Sequence, residues 1–338
     1  MNTRLAPADL IDKDEFDPTE LHISRGPGRV EKHKKIKRSE QALTDELIAH
    51  NSAASVSDEQ AFTPSFTSSR HEREWILTYL GAFYNEQLIN DVLARVKGGK
   101  EANVYCCQAF PGLGMELVAA KIYRPRMFRN LRNDAAYREG RKVIDETGKE
   151  VRNDRELHAV RKGSAFGKEL SHVSWLGHEY RTLELLHKAG ADVPRPIASG
   201  PNTILMEYLG ETFSPAPTLN EVRLPSRAEA RRVYERLLHN VEIMLANSRV
   251  HGDLSAYNVL YWEGQFRIID FPQAIDPHDN RSAFHIFQRD LKRLCDYFER
   301  YGIHSRPDDL ARRLWMKHGF GDLWQVDNTD WEDAGSTV

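Results

Sequence analysis

The sequence predicts an α+β protein of two lobes, a small β-rich lobe followed by a mainly helical lobe. Three strand-like runs at residues 88–96, 101–110 and 115–124 are separated by Gly-Gly and Pro-Gly turn signals, which predicts an antiparallel meander. Further along the chain, two segments carry apolar residues at helical spacing on one face. Because two lobes joined at a hinge commonly hold a ligand between them, we expect a site in the cleft.

Composition and charge indicate an ordinary globular protein. The 338 residues carry a net charge of −3, with 40% apolar and 29% charged residues, and this balance argues against a surface devoted wholly to nucleic acid. No apolar run approaches the roughly 20 residues that span a bilayer, and the N-terminus resembles no secretory signal, so no membrane partner is expected. Cys106, Cys107 and Cys295 match neither a zinc spacing nor a disulfide framework. A cytoplasmic location fits this pattern best.

Residues 1–69 differ in composition from the rest of the chain. They are polar and lack sustained periodicity, so they cannot bury enough apolar surface to offset chain entropy and are expected to be mostly disordered. Within them lies the basic run KHKKIKR, from Lys32 to Arg38. Such a run is either a solvated charged segment or an arm that contacts RNA or another acidic partner.

An ordered domain is expected at residues 70–310, with the small lobe at about 70–208 and the helical lobe at about 209–310. A C-terminal tail, 311–338, follows it. Within the small lobe, the stretch from 124 to about 170 is highly charged and has no clear period. That composition suggests a mobile insertion.

The other predicted helices and strands of the domain follow along the chain. Helices are predicted near residues 70–81 and from about 172 to 189, and the strands PIASG and TILMEYL follow the second of them. Ser226 and Glu229 form a capping box at the start of the next helix. The hairpin VLYWEGQFRIID and a last amphipathic helix complete the domain.

Three features of the small lobe suggest a site for phosphate groups. The pair Gly98-Gly99 lets the backbone come close to an anion, although, taken alone, an ordinary hairpin turn explains it better. Lys121 lies in the apolar strand VAAKIYR, where a buried ammonium needs a partner or a ligand phosphate, unless the strand is an edge strand that turns the side chain to water. Glu179 interrupts the apolar stripe of its helix, so we expect it to pair with Lys121 unless it reaches water.

The stretch HGDLSAYN and the strand end RIID supply the candidate catalytic residues. Asn258 and Asp270 offer the oxygen ligands that suit Mg²⁺, which leaves Asp253 to accept or orient a hydroxyl proton. Each of the three could instead be a loop-capping side chain. However, the order Gly-rich turn, strand Lys, helix Glu, Asp-x-x-x-x-Asn and strand-end Asp matches the residues that kinases use for phosphoryl transfer. The combination therefore favours a kinase.

Together, GKEANVY, the strand lysine, ILMEYLG, HGDLSAYN and IIDFPQA resemble the RIO atypical protein kinases over roughly residues 75–305. They are similar to the branch whose nucleotide loop reads Ser-Thr-Gly-Lys-Glu-Ala. The resemblance implies a two-lobed protein-kinase-like fold and an ATP- and Mg²⁺-dependent Ser/Thr protein kinase that acts on a protein substrate or on itself. It also implies an ATPase activity in which the metal-binding aspartate, here Asp270, becomes phosphorylated.

The resemblance further implies a role for each matching residue. Asp253 would be the catalytic aspartate, and Asn258 and Asp270 would hold the metal. Lys121 would contact the nucleotide phosphates, with Glu179 orienting it. The other implied ATP-binding positions are Gly98, Gly99, Lys100 and Val104 in the nucleotide loop, and Met206, Glu207, Tyr208 and Leu209 at the hinge.

The sequence departs from ordinary kinases in ways that bear on control. Lys97-Gly98 replaces Ser-Thr in the nucleotide loop, and Gly252 replaces the arginine that meets a phosphorylated activation loop. Pro272 replaces the glycine of Asp-Phe-Gly, and because proline fixes φ at about −65°, little flipping of Asp270 is expected. No Ala-Pro-Glu follows, so a peptide-docking platform is not expected.

The sequence leaves two other functions open. The first is a small-molecule phosphotransferase of the aminoglycoside or choline kinase type, which also uses a His-Gly-Asp-x-x-x-x-Asn loop, although GKEANVY and DFPQA favour the RIO interpretation. The second is an ATPase switch that binds RNA or ribosome precursors. Its only support in the sequence is a possible ribosome or RNA contact through the basic run from Lys32 to Arg38.

Overall fold

A five-stranded antiparallel sheet forms the small lobe of the computed structural model. The structure describes residues 62–99, 102–123, 137, 139–145 and 148–321. The strands are β1 (Ile89–Gly98), β2 (Ala102–Ala109), β3 (Leu117–Tyr123), β4 (Pro196–Gly200) and β5 (Thr203–Glu207), in the order β1-β2-β3-β5-β4. The predicted antiparallel meander of the first three strands is confirmed.

Several features predicted from the sequence lie outside the described residues. They are the basic run from Lys32 to Arg38, most of the predicted 1–69 extension, Lys100 of the nucleotide loop, and residues 322–338 of the tail. Their expected properties stay predictions.

The position of β3 in the sheet directs Lys121 into the cleft. β3 lies between β2 and β5, and in register Lys121 is opposite Val104 on one side and Ile204 on the other. Because successive side chains of a strand point to opposite faces, Lys121 lies on the face opposite the buried Ala120 and Ile122. The edge-strand alternative for Lys121 is therefore excluded.

Helix α1 (Arg70–Asn85) covers the other face of the sheet. Its residues Ile76, Leu80 and Phe83 are buried against that face, and we call this apolar cluster between α1 and the sheet the outer core. Phe62 and Phe66 pack against the same cluster, so packing begins a few residues before the expected start of the domain at residue 70.

The predicted mobile insertion is wrong for its second half. Residues Asp154–Lys162 form helix α2, and helix α3 spans Ala165–Lys188, so it starts well before residue 172. Asn153 and Ser164 cap the two helices through bonds to their first backbone amides, and Gly163 turns the chain between them with a φ of 64°. The high charge of this stretch obscures its capping signals, and α2 has no buried residue that would mark a core-facing stripe.

The helical lobe surrounds a second, larger apolar cluster, the main core. Helix α4 (Arg227–Ala246) begins at Ser226, whose hydroxyl accepts from the amide of Glu229 at 3.1 Å. A small hairpin, β6 (Gly210–Glu211) and β7 (Ser214–Pro215), follows the hinge, and the predicted later hairpin forms as β8 (Val259–Trp262) and β9 (Gln265–Ile268). Helix α5 (Ala283–Glu299) buries most of its predicted stripe in the main core.

The last described helix, α6 (Pro307–Lys317), also belongs to the folded lobe. Its Leu310, Leu314 and Trp315 are buried in the main core. The expected domain end at residue 310 falls within this helix, and the packing continues to Phe320. Across the part of the chain that the structure describes, none of the helices has the length and apolarity needed to cross a membrane.

Candidate active site

A buried lysine joins two carboxylates in the cleft. The Nζ atom of Lys121 lies 2.9 Å from Oε1 of Glu179 and 2.6 Å from Oδ1 of Asp270. Glu179 comes from α3 and Asp270 from the segment after β9, so three separate elements meet at this ammonium. The predicted pair of Lys121 and Glu179 is present, and Asp270 is a second partner.

The three charges stabilise one another against burial. Burial alone would lower the pKa of Lys121, but the charges of Asp270 and Glu179 outweigh it and raise that pKa. Burial would likewise raise the pKa of Asp270, yet Lys121 holds it below its usual range. For Glu179, burial prevails and raises the pKa, although Lys121 and the hydroxyl of Tyr123, which donates to Oε2, oppose the shift. Asp270 is therefore ionised near neutral pH.

Glu179→Gln tests the orienting role of this helix residue. The amide keeps the shape of the side chain but removes the charge, so Lys121 is drawn wholly to Asp270. Since a hydrogen bond to a charged group contributes about 1.5–3 kcal/mol, we expect kcat/KM for ATP to fall about 10- to 100-fold. Steady-state kinetics would measure this, with the exposed Glu169→Gln on the same helix as the control. Unchanged kinetics for Glu179→Gln would contradict the role.

The loop at residues 251–258 holds Asp253 by both carboxylate oxygens. Oδ1 accepts from Arg293 of α5 at 2.6 Å, and Oδ2 accepts from the side-chain amide of Asn258 at 3.1 Å. The same amide donates to the Asp253 carbonyl oxygen at 2.9 Å, so the Asn258 side-chain oxygen points away from Asp253. Asp253 thus has a fixed orientation at the cleft.

His251 supports this loop from inside the protein. Burial lowers its pKa, so the ring is neutral at pH 7. Its Nδ1 accepts from the amide of Asp253, which leaves Nε2 to donate to the Ile269 carbonyl at 3.2 Å. The ring also packs on Phe271, with 4.8 Å between centroids. This histidine joins the Asp253 loop to the Asp270 segment and is not itself placed for proton transfer.

Asn258 and Asp270 lie side by side because of the β8–β9 hairpin. Val259 pairs with Ile268, and the Ile269 amide donates to the Asn258 carbonyl at 2.9 Å. Asp270 has a φ of 74°, in the left-handed region that is strained for a residue other than glycine. One carboxylate and one amide oxygen suit Mg²⁺, which keeps several waters. Among the described residues no group of three or more His, Cys, Asp or Glu could hold a metal, so a zinc-type site is not indicated there.

Asp290 of α5 anchors the backbone of the same loop. Its Oδ2 accepts from the Gly252 amide at 2.8 Å, and Arg289 beside it donates to the Gly252 carbonyl. Burial raises the pKa of Asp290 to about 7, against the opposing effect of Arg289 and the backbone amides. A carboxylate 37 residues after Asp253 in the sequence thus fixes the backbone of the 251–258 loop.

Asp290→Asn should change how stability depends on pH. The folded pKa of about 7 lies above the unfolded value of about 4, so the wild type loses stability as pH rises between these values. The variant has no such titration, and the difference in unfolding free energy between the two should shift by up to about 4 kcal/mol over that window. Denaturant unfolding at pH 5, 6, 7 and 8 would measure it, with the exposed Asp296→Asn as control. A constant difference across pH would contradict the prediction.

The predicted nucleotide loop and hinge flank this site. The Gly99 amide donates to the Ala102 carbonyl at 3.0 Å, which closes the turn between β1 and β2. Val104 of β2 is opposite Lys121 of β3 in the sheet register. Met206 of β5 packs against the main core. The Glu207 side chain pairs with Arg267 at 3.0 Å, and its backbone amide donates to the Arg195 carbonyl at 2.8 Å. Tyr208 and Leu209 follow directly in the chain.

Sequence reasoning missed three contributors to this site. Tyr123 contacts Glu179 and Arg293 contacts Asp253, while Asp290 contacts Gly252 beside Asp253. Tyr123 could have been found, since it lies two residues after Lys121 and must share its face of β3. No local pattern marks Asp290 or Arg293, because their role depends on how α5 packs beside the loop.

Comparisons with known proteins match this chain to one family. The RIO domain family model matches residues 104–310. The chain is 33% identical over 220 residues to the RIO-type serine/threonine-protein kinase Rio1 of Haloferax volcanii, covering 64% of this chain and 66% of that protein. It is 31% identical over 250 residues to the serine/threonine-protein kinase RIO1 of Chaetomium thermophilum, covering 70% of this chain and 44% of that protein. The chain thus spans less than two thirds of the length of both relatives.

A solved structure also matches. The Rio2 kinase from Chaetomium thermophilum aligns with a TM-score of 0.48 and 20% sequence identity, over 75% of this chain and 71% of that chain.

Proposed function

The chain belongs to the RIO domain family, and from this membership we propose that it is an ATP- and Mg²⁺-dependent atypical serine/threonine protein kinase. The observation that carries the proposal is the buried Lys121 ammonium between Glu179 and Asp270. An ammonium beside a carboxylate that can bind metal suits the binding of a nucleoside triphosphate. The chemistry is phosphoryl transfer from ATP.

Each residue of the cleft has a part in this proposal. Lys121 binds the nucleotide phosphates, and Glu179 keeps it in place. Asn258 and Asp270 hold Mg²⁺, which neutralises charge on the phosphate oxygens when it is bound. The turn that contains Gly98 and Gly99 brings the backbone close to the phosphates.

Phosphoryl transfer through Asp270 is the second part of the proposal. An oxygen of the Asp270 carboxylate attacks the γ-phosphorus as the bond to the ADP oxygen breaks, and water then hydrolyses the acyl phosphate to inorganic phosphate and the free carboxylate. The environment of Asp270 supports this route, because the ammonium of Lys121 lies 2.6 Å from its Oδ1 and holds the pKa of Asp270 below its usual range, which keeps the carboxylate ionised. Asp253 orients the acceptor and takes its proton when the acceptor is a Ser or Thr hydroxyl.

The acceptor and the setting belong to the proposal as well. We propose a protein substrate or the chain itself as the acceptor, and contact with ribosomal or other RNA through the basic run from Lys32 to Arg38. A cytoplasmic setting is consistent with the three free, buried thiols of Cys106, Cys107 and Cys295.

Tracing the γ-phosphate of labelled ATP tests the proposal. The full chain is incubated with Mg²⁺ and candidate acceptors, and the label is followed into protein, small molecules and free phosphate. Acid-stable label on Ser or Thr supports the kinase, while free phosphate with acid-labile, hydroxylamine-sensitive acyl-phosphate label on Asp270 supports the ATPase route. Label on an aminoglycoside or choline-like acceptor, or no turnover with Mg²⁺ and ATP at all, contradicts the proposal.

A further inference from the structure

A segment that precedes α2 crosses from α3 to the Asp270 region. We call residues 139–145 and 148–151 the strap. On the α3 side, the amide of buried Ile144 donates to the Ser174 hydroxyl at 3.0 Å. The Nε2 atom of His178 is 2.7 Å from the carbonyl oxygen of Lys142. Because burial lowers the pKa of His178 to about 4, the ring is neutral and donates this hydrogen bond. The strap is thus fixed to the helix that carries Glu179.

On its other side the strap reaches the turn that follows Asp270. One guanidinium nitrogen of Arg141 donates to the Pro272 carbonyl at 3.0 Å and to the Ala274 carbonyl at 2.8 Å. Hydrogen bonds from a charged donor are about twice as strong as neutral ones. At Gly140, φ is 73° and an added Cβ would lie 2.0 Å from the Asp279 carbonyl oxygen, so the strap backbone runs directly against this part of the helical lobe.

The turn at residues 272–274 touches both catalytic segments. It continues directly from Asp270, whose φ of 74° persists only where the surroundings hold it. It also packs on the catalytic loop, since an added Cβ at Gly252 would lie 2.3 Å from the Gln273 carbonyl oxygen. Gly252 is where an ordinary kinase has the arginine that links the catalytic loop to a phosphorylated segment. Here a guanidinium reaches the same region from the strap.

We propose that Arg141 is a positioning residue that holds Asp270 in its working conformation by fixing the turn at residues 272–274. The strap thereby takes the place of a phosphorylated activation loop, because it joins the Glu179 helix to the Asp270 segment without any covalent modification. This inference rests on the proposed phosphoryl transfer at Asp270.

Arg141→Gln tests the role, with Arg152→Gln as the matched control. Arg152 lies just beyond the strap with a side chain 87% exposed, and its ion pair with Glu150 of the strap is long, at 4.0 Å, and open to solvent, so its loss should change little. For Arg141→Gln we expect backbone amide hydrogen exchange at Ala274 and Ile275 to rise at least about tenfold at unchanged melting temperature. We also expect the Mg²⁺ concentration for half-maximal ATP turnover to rise about tenfold, with the KM for ATP at saturating Mg²⁺ changed less than twofold. Arg141→Lys, which keeps a charged donor, should restore much of both.

The outcomes separate this inference from the proposed function. Exchange at residues 274–275 and the Mg²⁺ requirement both equal to those of Arg152→Gln would overturn the role of Arg141, even in an active enzyme. Equal losses for Arg141→Gln and Arg141→Lys, or an equal rise in the KM for ATP, would also overturn it, since they indicate general damage. A wild-type chain that turns over no ATP with Mg²⁺ would instead refute the proposed function, while the exchange data would still decide whether Arg141 holds the turn.

Discussion

Asp270→Asn will abolish Mg²⁺-dependent turnover of ATP, with kcat reduced about 10³-fold or more. The substitution removes the ionised oxygen donor proposed for the metal and the proposed acceptor of the γ-phosphoryl group. Charge stabilisation by a metal contributes several kcal/mol to a transition state, and each 1.36 kcal/mol is about tenfold in rate. Phosphate release at saturating ATP and varied Mg²⁺ measures the loss. Acyl-phosphate label on the protein should disappear as well.

The fold of Asp270→Asn should survive the change. Lys121 keeps its ion pair with Glu179 at 2.9 Å, so the variant does not leave a buried ammonium unpaired. Asp279→Asn is the control, because Asp279 is exposed and lies nine residues further along the chain. Retention of Mg²⁺-dependent turnover by a folded Asp270→Asn variant would show that the metal is held elsewhere.

Asp253→Asn will lower kcat by about 10²- to 10⁴-fold, the range that general base catalysis contributes. The affinity for ATP should stay within about threefold, because Asp253 is not proposed to touch the nucleotide. The amide that replaces the carboxylate also loses the ion pair with Arg293 at 2.6 Å, which is a partly exposed pair and contributes little to stability. Single-turnover kinetics measure the chemical step, and equilibrium binding of labelled ATP measures the affinity.

The two aspartate variants should therefore fail in different ways. Asp270→Asn should lose the Mg²⁺ dependence of ATP binding together with turnover, whereas Asp253→Asn should bind ATP and Mg²⁺ normally and fail only in transfer. The same Asp279→Asn control applies to both. If transfer to Asp270 itself stayed at the wild-type rate in Asp253→Asn, the role of Asp253 would be confined to hydroxyl acceptors.

Much of the site was predictable because its residues obey strong local rules. Lys121 in an apolar strand and Glu179 in an apolar stripe are both costly unless they meet, so the pair could be inferred from burial alone. Asn258 and Asp270 flank the predicted hairpin VLYWEGQFRIID, in which Glu263 and Gly264 supply a turn signal, and its strands pair as predicted. In each case a few neighbouring residues determine the direction of the side chain.

The rest could not be found in this way because it depends on contacts between distant segments. Arg141 and Pro272 are 131 residues apart, and Arg293 reaches Asp253 over 40 residues. Helix α2 was not predicted for a different reason. It buries no residue, so its sequence shows no core-facing stripe. Surface helices of this kind are marked only by their caps, here Asn153 and Gly163.

The sheet of the small lobe keeps its two apolar clusters apart. The outer core holds α1 residues such as Ile76 and Leu80, while Leu183 and Leu186 of α3 belong to the main core on the other side. Substitutions in the outer core are therefore expected to change the stability of the fold. The geometry of the cleft depends on residues of the opposite face of the sheet. Apolar substitutions that conserve the volume of the outer core are therefore expected to leave the position of Lys121 in the cleft unchanged.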